Sequence, residues 1–195
     1  MKKIAFFGGS FDPIHFGHLN LAIQMKEHFK LDQVLFSPTP GNPFKLDAPA
    51  LASLEHRTIM IKKAISEIDG FFLCDIEAKF DKISYTIDAL VELKKRNLDA
   101  QLFLILSNES FKGFEKWKES NKILEIVNIL IGSRENYLPN EGFFSKIIKE
   151  NFLKMPILDI SATEIRARLK KDLYCGHLVN HKVLEYIDVH KLYQS

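Results

Sequence analysis

Residues 4–18 read Ile-Ala-Phe-Phe-Gly-Gly-Ser-Phe-Asp-Pro-Ile-His-Phe-Gly-His, and this stretch decides the fold. Ile4 to Phe7 is a short apolar run of the kind that forms a buried strand, Gly8 and Gly9 make a turn, and helical spacing begins near His18. Glycines let backbone approach a phosphate with no Cβ in the way. A helix start points free N–H groups at the same anion. His15 and His18 flank Gly17, so their rings can converge on one phosphate chain. Neutral imidazole donates to a phosphate oxygen, and imidazolium offsets charge that builds up in phosphoryl or nucleotidyl transfer. Two solvated histidines on a plain strand–turn–helix is the simpler reading of His-x-Gly-His alone. The Gly-Gly-Ser-Phe-Asp-Pro prefix makes the pattern more specific: a place to hold a nucleoside triphosphate.

Working outward, strand-like runs at Lys3–Phe7, Gln33–Ser37, Phe71–Asp75, Ala100–Leu106, Val127–Gly132 and Met155–Leu158 alternate with helical patterns. The helical patterns are Leu19–Phe29, Ser53–Ile68, Thr86–Arg96 and Lys116–Glu125, and residues from Thr163 to Tyr193 read as two or three closing helices. Alternation of this type predicts an α/β fold, a doubly wound parallel sheet with C-terminal helices. The near-continuous apolar run Ala100–Leu106 suits a central strand covered on both faces. Ligands of such sheets sit beyond the carboxyl ends of the strands, where the Gly-Gly turn falls. Pro38 to Pro49, with four prolines and one glycine, reads as a binding loop or lid.

The chain's 195 residues suit a single domain over 1–195. With 46% hydrophobic and 27% charged residues it has globular composition, and a net charge of +2 demands neither a nucleic-acid nor a membrane partner. The apolar start ends at Gly8, too short for a secretory segment, and no run approaches a membrane span. Cys74 and Cys175 stand apart with no ligand cluster nearby, so idle thiols in a reducing cytoplasm are expected.

The residue 8–18 segment resembles the signature of the nucleotidyltransferase superfamily that carries (H/T)-x-G-H. Its form, G-G-(S/T)-F-D-P-x-H-x-G-H, is most similar to that of bacterial nicotinate-nucleotide adenylyltransferases. The resemblance implies a Rossmann-like nucleotidyltransferase fold and an ATP site at Gly8, Gly9, Ser10, Phe11, His15 and His18. Asp159-Ile160-Ser161-Ala162-Thr163-Glu164-Ile165-Arg166 opens a helix after a strand, with Ser161 as its N-cap. It resembles the family's I-S-(S/A)-T-x-I-R, which adds Ile160, Ser161, Thr163 and Arg166 to the ATP site. His15, His18 and Arg166 are then the catalytic candidates, acting by positioning and charge stabilisation with no covalent intermediate.

For the second substrate, Ser84-Tyr85-Thr86-Ile87-Asp88-Ala89-Leu90 resembles the family's S-Y-T-I-D-T-L, which implies that Tyr85 and Thr86 meet the nicotinate carboxylate. A helix N-cap role for Thr86 is a compatible alternative. By the same resemblance Trp117 lies near the pyridine ring, Lys45 reaches a phosphate, and Arg134 serves the mononucleotide's phosphate. Arg57 reads as site support or as half of a surface ion pair. The family's Gly-x-Asp is Ser107-Asn108-Glu109 here, with Glu109 left to meet a ribose hydroxyl, and Asn180 stands where a proline is usual. The implied reaction transfers AMP from ATP to nicotinate mononucleotide, with Mg²⁺ on the phosphates and no dedicated metal site. Alternatives are an adenylyltransferase for nicotinamide mononucleotide or another phosphorylated small molecule, and a catalytically weak nucleotide-binding homologue. Oligomeric state, including a homo-oligomer, stays open.

Overall fold

A computed structural model describes residues 1–41, 49–80, 83–133, 151–156 and 158–194. Six parallel strands form one sheet: β1 (Lys3–Gly9), β2 (Gln33–Pro38), β3 (Phe71–Leu73), β4 (Gln101–Ser107), β5 (Asn128–Ser133) and β6 (Phe152–Lys154). Their order is β3-β2-β1-β4-β5-β6, with every pairing parallel. The direction of winding therefore reverses between β1 and β4, which puts the ligand crevice at the ends of those two strands. The expected doubly wound sheet is present.

Period-two alternation assigns the core. Ala5, Phe7, Phe103, Ile105 and Leu130 face one buried cluster, while Ile4, Phe6, Leu102, Leu104, Ile129 and Ile131 face another. The first is covered by α1 (Phe16–Phe29), α2 (Leu54–Ile65), α6 (Ala162–Leu169) and α7 (His181–Val189). The second is covered by α3 (Thr86–Arg96), α4 (Asn108–Lys112) and α5 (Ser120–Ile126). Burial on both faces is why β1 and β4 read as unbroken apolar runs. Both cysteines are buried free thiols. Among the described residues no helix is long and apolar enough to cross a membrane.

Three sequence expectations need correction. The last strand lies at Phe152–Lys154, not Met155–Leu158. Met155 still donates its N–H to the Ser133 carbonyl at 3.2 Å, but Pro156 has no N–H and ends the ladder. The helix expected over Lys116–Glu125 starts only at Ser120, because Phe114–Lys116 is a single 3₁₀ turn. The α1 helix opens at Phe16 rather than near His18, with His15 at its N-cap.

Candidate active site

The β1–α1 turn is built around Gly17. A Cβ there would stand 3.0 Å from the His15 ring and 3.7 Å from the Ile160 carbonyl, so a side chain at this position would push the His15 ring from its place over the helix start. The His15 and His18 rings stack with centroids 3.7 Å apart and planes at 30°. Phe11 stays buried and packs edge-on beneath His18, with centroids 5.0 Å apart. Its backbone adopts the left-handed region at φ +47°. Phe11 thus supports the ring of His18.

The His15 backbone N–H donates to His18 Nδ1 at 3.3 Å. A ring nitrogen that accepts carries no proton, so neutral His18 holds its proton on Nε2, where it is available as a donor. Burial drives the His15 pKa from 6.5 down to about 4. Burial, and then the neighbouring His15, hold His18 well below the same value. Of the two roles open to these residues in the sequence, the neutral donor is the one this environment favours.

The second motif meets the first across the sheet ends. Ser161 Oγ accepts the Glu164 N–H at 3.1 Å and caps α6. Arg166 then reaches back from that helix. One Nη donates to the Asp12 carbonyl at 2.7 Å and the other to Thr163 Oγ1 at 3.3 Å. Asn20 of α1 donates to the Pro156 carbonyl at 2.7 Å, tying the first motif's helix to the segment ahead of the second motif. Both now border a cleft of about 640 Å³ lined by Gly8, Gly9, Ser10, His15, His18 and Ser161, with Ile160, Thr163 and Arg166.

The same cleft runs on to Tyr85, Thr86, Ser107, Glu109 and Trp117. Thr86 is the first residue of α3, not its cap. Tyr85 takes the cap position without a side-chain hydrogen bond, so no side chain caps the helix start. Trp117 is half-buried and packs on Phe114, with centroids 5.4 Å apart. Ser107 has φ −73° and caps the short α4 by accepting the Ser110 N–H at 3.2 Å. That backbone is ordinary for any residue, so the chain conformation itself does not require the family's glycine here. Lys45 and Arg134 lie outside the described residues.

Four further residues support the glycine turn: Arg57, one of whose two sequence readings was site support, and Asp12, Tyr193 and Glu77. Arg57 is 1% exposed and donates to the carbonyls of Ala52, Ser10 and Thr39 at 3.1, 2.7 and 2.8 Å. The surface ion pair is ruled out; the guanidinium clamps the glycine turn from beneath. Asp12 accepts from the N–H groups of Leu51 and Ala52 and from the Tyr193 hydroxyl at 2.8, 3.1 and 2.7 Å. Glu77, buried beside Gly8, accepts from Ser84 Oγ at 2.7 Å, and burial pushes its carboxyl pKa up. Asp12 lies inside the motif, so its position was signalled. Nothing in the sequence signals that Tyr193 or Glu77 meets it or the turn.

Residues 6–168 match the cytidylyltransferase-like family model. Along 195 residues the chain is 36% identical to a protein of Methylacidiphilum infernorum, covering 98% of this chain and 92% of that one. It is 39% identical to one of Dictyoglomus turgidum, covering 98% and 95%. Both relatives carry the name "Probable nicotinate-nucleotide adenylyltransferase". Similar solved structures include Plasmodium falciparum nicotinic acid mononucleotide adenylyltransferase complexed with NaAD, at TM-score 0.80 and 20% identity. The same enzyme complexed with APC gives TM-score 0.78 at 21% identity, and each alignment covers 99% of this chain and 98% of the other. At that identity the structural likeness speaks for the fold.

Proposed function

This chain belongs to the cytidylyltransferase-like family and, within it, to the nicotinate-nucleotide adenylyltransferases of NAD biosynthesis, and from that premise we propose how its cleft joins ATP to nicotinate mononucleotide. An oxygen of the mononucleotide's 5′-phosphate attacks the α-phosphorus of ATP. The bond from that phosphorus to the bridging oxygen breaks, and pyrophosphate leaves. The nucleophile is already anionic, so no general base is needed, and catalysis rests on alignment and on stabilising developing charge.

One observation supports the reading above the others: two helix starts, α1 and α6, border one cleft together with His15, His18 and Arg166. In this reading the N–H groups of both helices, His18 Nε2–H and the Arg166 guanidinium face the triphosphate. Gly8, Gly9 and Ser10 give it close backbone approach. At the other end of the cleft the bare start of α3 at Tyr85–Thr86 takes the nicotinate carboxylate, and Trp117 lies against the ring. An aromatic face of this kind contributes about 1 kcal/mol beyond area burial. Glu109 lines the cleft and in this reading meets a ribose hydroxyl.

Among the described residues no three His, Cys, Asp or Glu side chains converge to hold a metal ion. In this reading Mg²⁺ comes with ATP; it would be held by the nucleotide's phosphates and water, and would neutralise oxygen charge there. The test is pyrophosphate release by the purified protein with ATP and Mg²⁺, comparing nicotinate mononucleotide with nicotinamide mononucleotide. Faster release with the acid is expected. Release with neither nucleotide would overturn the reading.

A further inference from the structure

Lys118 follows Trp117 and lines the cleft, yet the reaction just described gives it no task. Its ammonium lies 4.6 Å from the centroid of the Tyr85 ring and 3.1 Å from Asp88 Oδ2. Among the described residues lining the cleft, Lys118 and Arg166 are the permanent cations. Arg166 lies at the triphosphate end of the cleft, held by Asp12 and Thr163. Asp88 sits in the first turn of α3, behind the helix start that the mononucleotide's acid group would approach.

That placement creates a conflict. A bare helix start attracts a carboxylate through its free N–H groups and its dipole. A carboxylate in the helix's own first turn repels the incoming one and offsets the same dipole. An amide, being neutral, would not feel the repulsion. Left alone, Asp88 would erode the preference for an acid substrate.

We infer that Lys118 sets selectivity for the acid over the amide by cancelling the charge of Asp88 at the start of α3. The inference rests on the reading that the substrate's acid group meets Tyr85–Thr86. The Tyr85 ring face holds the ammonium on the cleft side through a cation–π contact. In the free protein the Lys118 and Asp88 side chains are 42% and 40% exposed, so water screens the pair and it adds little to stability. A substrate ring lying over it excludes water and strengthens every charge interaction beneath. The pair therefore acts on discrimination between ligands rather than on folding. Lys118 is a positioning residue in this role.

The experiment measures kcat/KM for nicotinate mononucleotide and for its amide, with ATP and Mg²⁺, in the unmodified protein and in Lys118→Met, Lys118→Gln, Asp88→Asn and Lys118→Met/Asp88→Asn. The acid-to-amide ratio within each protein is independent of how much of that protein is folded. Either Lys118 variant should lower the ratio about fivefold, the upper range for an exposed pair before desolvation. The double variant should return it to within about twofold of the starting value, since removing both charges restores the balance. An unchanged ratio in both Lys118 variants of an acid-selective enzyme would show the lysine to be a surface charge and overturn the inference. A double variant that stays as unselective as Lys118→Met would overturn the cancellation of Asp88. Equal use of acid and amide by the unmodified protein would overturn the inference together with the reading it rests on.

Discussion

His18 occupies a position where a few ångströms decide its chemistry. Its Nδ1 accepts the His15 N–H, its ring stacks on His15 and leans on Phe11, and Nε2–H remains to face a phosphate. Replacing it with alanine removes one preorganised donor, so His18→Ala should cut turnover by about a hundredfold or more. The half-buried ring is not a core keystone, and circular dichroism should report a folded variant. Undiminished turnover in that folded variant would take His18 out of the mechanism. The lowered histidine pKa values also carry a stability signature. In the unfolded chain both titrate near 6.5, whereas folded His15 titrates at about 4 and folded His18 is likewise depressed by burial. Between those values the unfolded state binds more protons, so this contribution is complete above roughly pH 6.5 and is lost as pH falls toward 4. Urea unfolding at pH 7 and pH 5 should show His15→Gln losing less stability across the interval than the unmodified protein does. Equal losses would mean that the ring is not held neutral by the fold.

Helix α6 works as a unit, with its Glu164 N–H capped by Ser161 and its last turn sending Arg166 back to Asp12. Losing a charge-assisted phosphate contact costs on the order of 1.5–3 kcal/mol. Arg166→Ala should accordingly raise the KM for ATP by roughly ten- to a hundredfold while changing the KM for the mononucleotide far less. Equal shifts in both constants from initial-rate kinetics would place the arginine elsewhere. This element was legible because its signals are local: a capping serine, helical spacing and a motif within eight residues. The β1–α1 unit and the buried β4 were legible for the same reason. Elements whose limits depend on a partner were not. β6 was misplaced by a few residues because Met155 is apolar and buried, yet Pro156 ends the hydrogen-bonding ladder next to it. For Arg57 the sequence leaves site support and a surface ion pair both open, because a charge on a helix ordinarily points to water and the three carbonyls that hold it come from separate parts of the chain. Thr86 resembles a cap by residue type, but the backbone put Tyr85 in that position.

At the scale of the whole molecule, the chain's end closes on its beginning. Tyr193 donates its hydroxyl to Asp12 Oδ1 at 2.7 Å across 181 residues of sequence, a contact that no local pattern announces. Asp12 in turn holds the N–H groups of Leu51 and Ala52, offers its carbonyl to Arg166 and lies beneath the glycine turn that Arg57 clamps. Tyr193 adopts the left-handed region at φ +66°, a conformation costing about 1 kcal/mol or more for a non-glycine residue. The hydrogen bond to a buried carboxylate offsets that cost. Removing only the hydroxyl, as in Tyr193→Phe, keeps the ring and the backbone strain but withdraws a donor from a charged acceptor, a loss of about 1.5–3 kcal/mol. For a chain of 195 residues that corresponds to a fall in Tm of roughly 3–12 °C. The KM for ATP should rise a fewfold as well, because Asp12 positions Arg166, while the acid-to-amide ratio set at the far end of the cleft should not move. Differential scanning calorimetry and initial-rate kinetics on the one variant check all three. An unaltered Tm would show that the C-terminal closure contributes nothing to the fold. A changed acid-to-amide ratio would show that the two ends of the cleft are coupled more tightly than their separate hydrogen-bond networks imply.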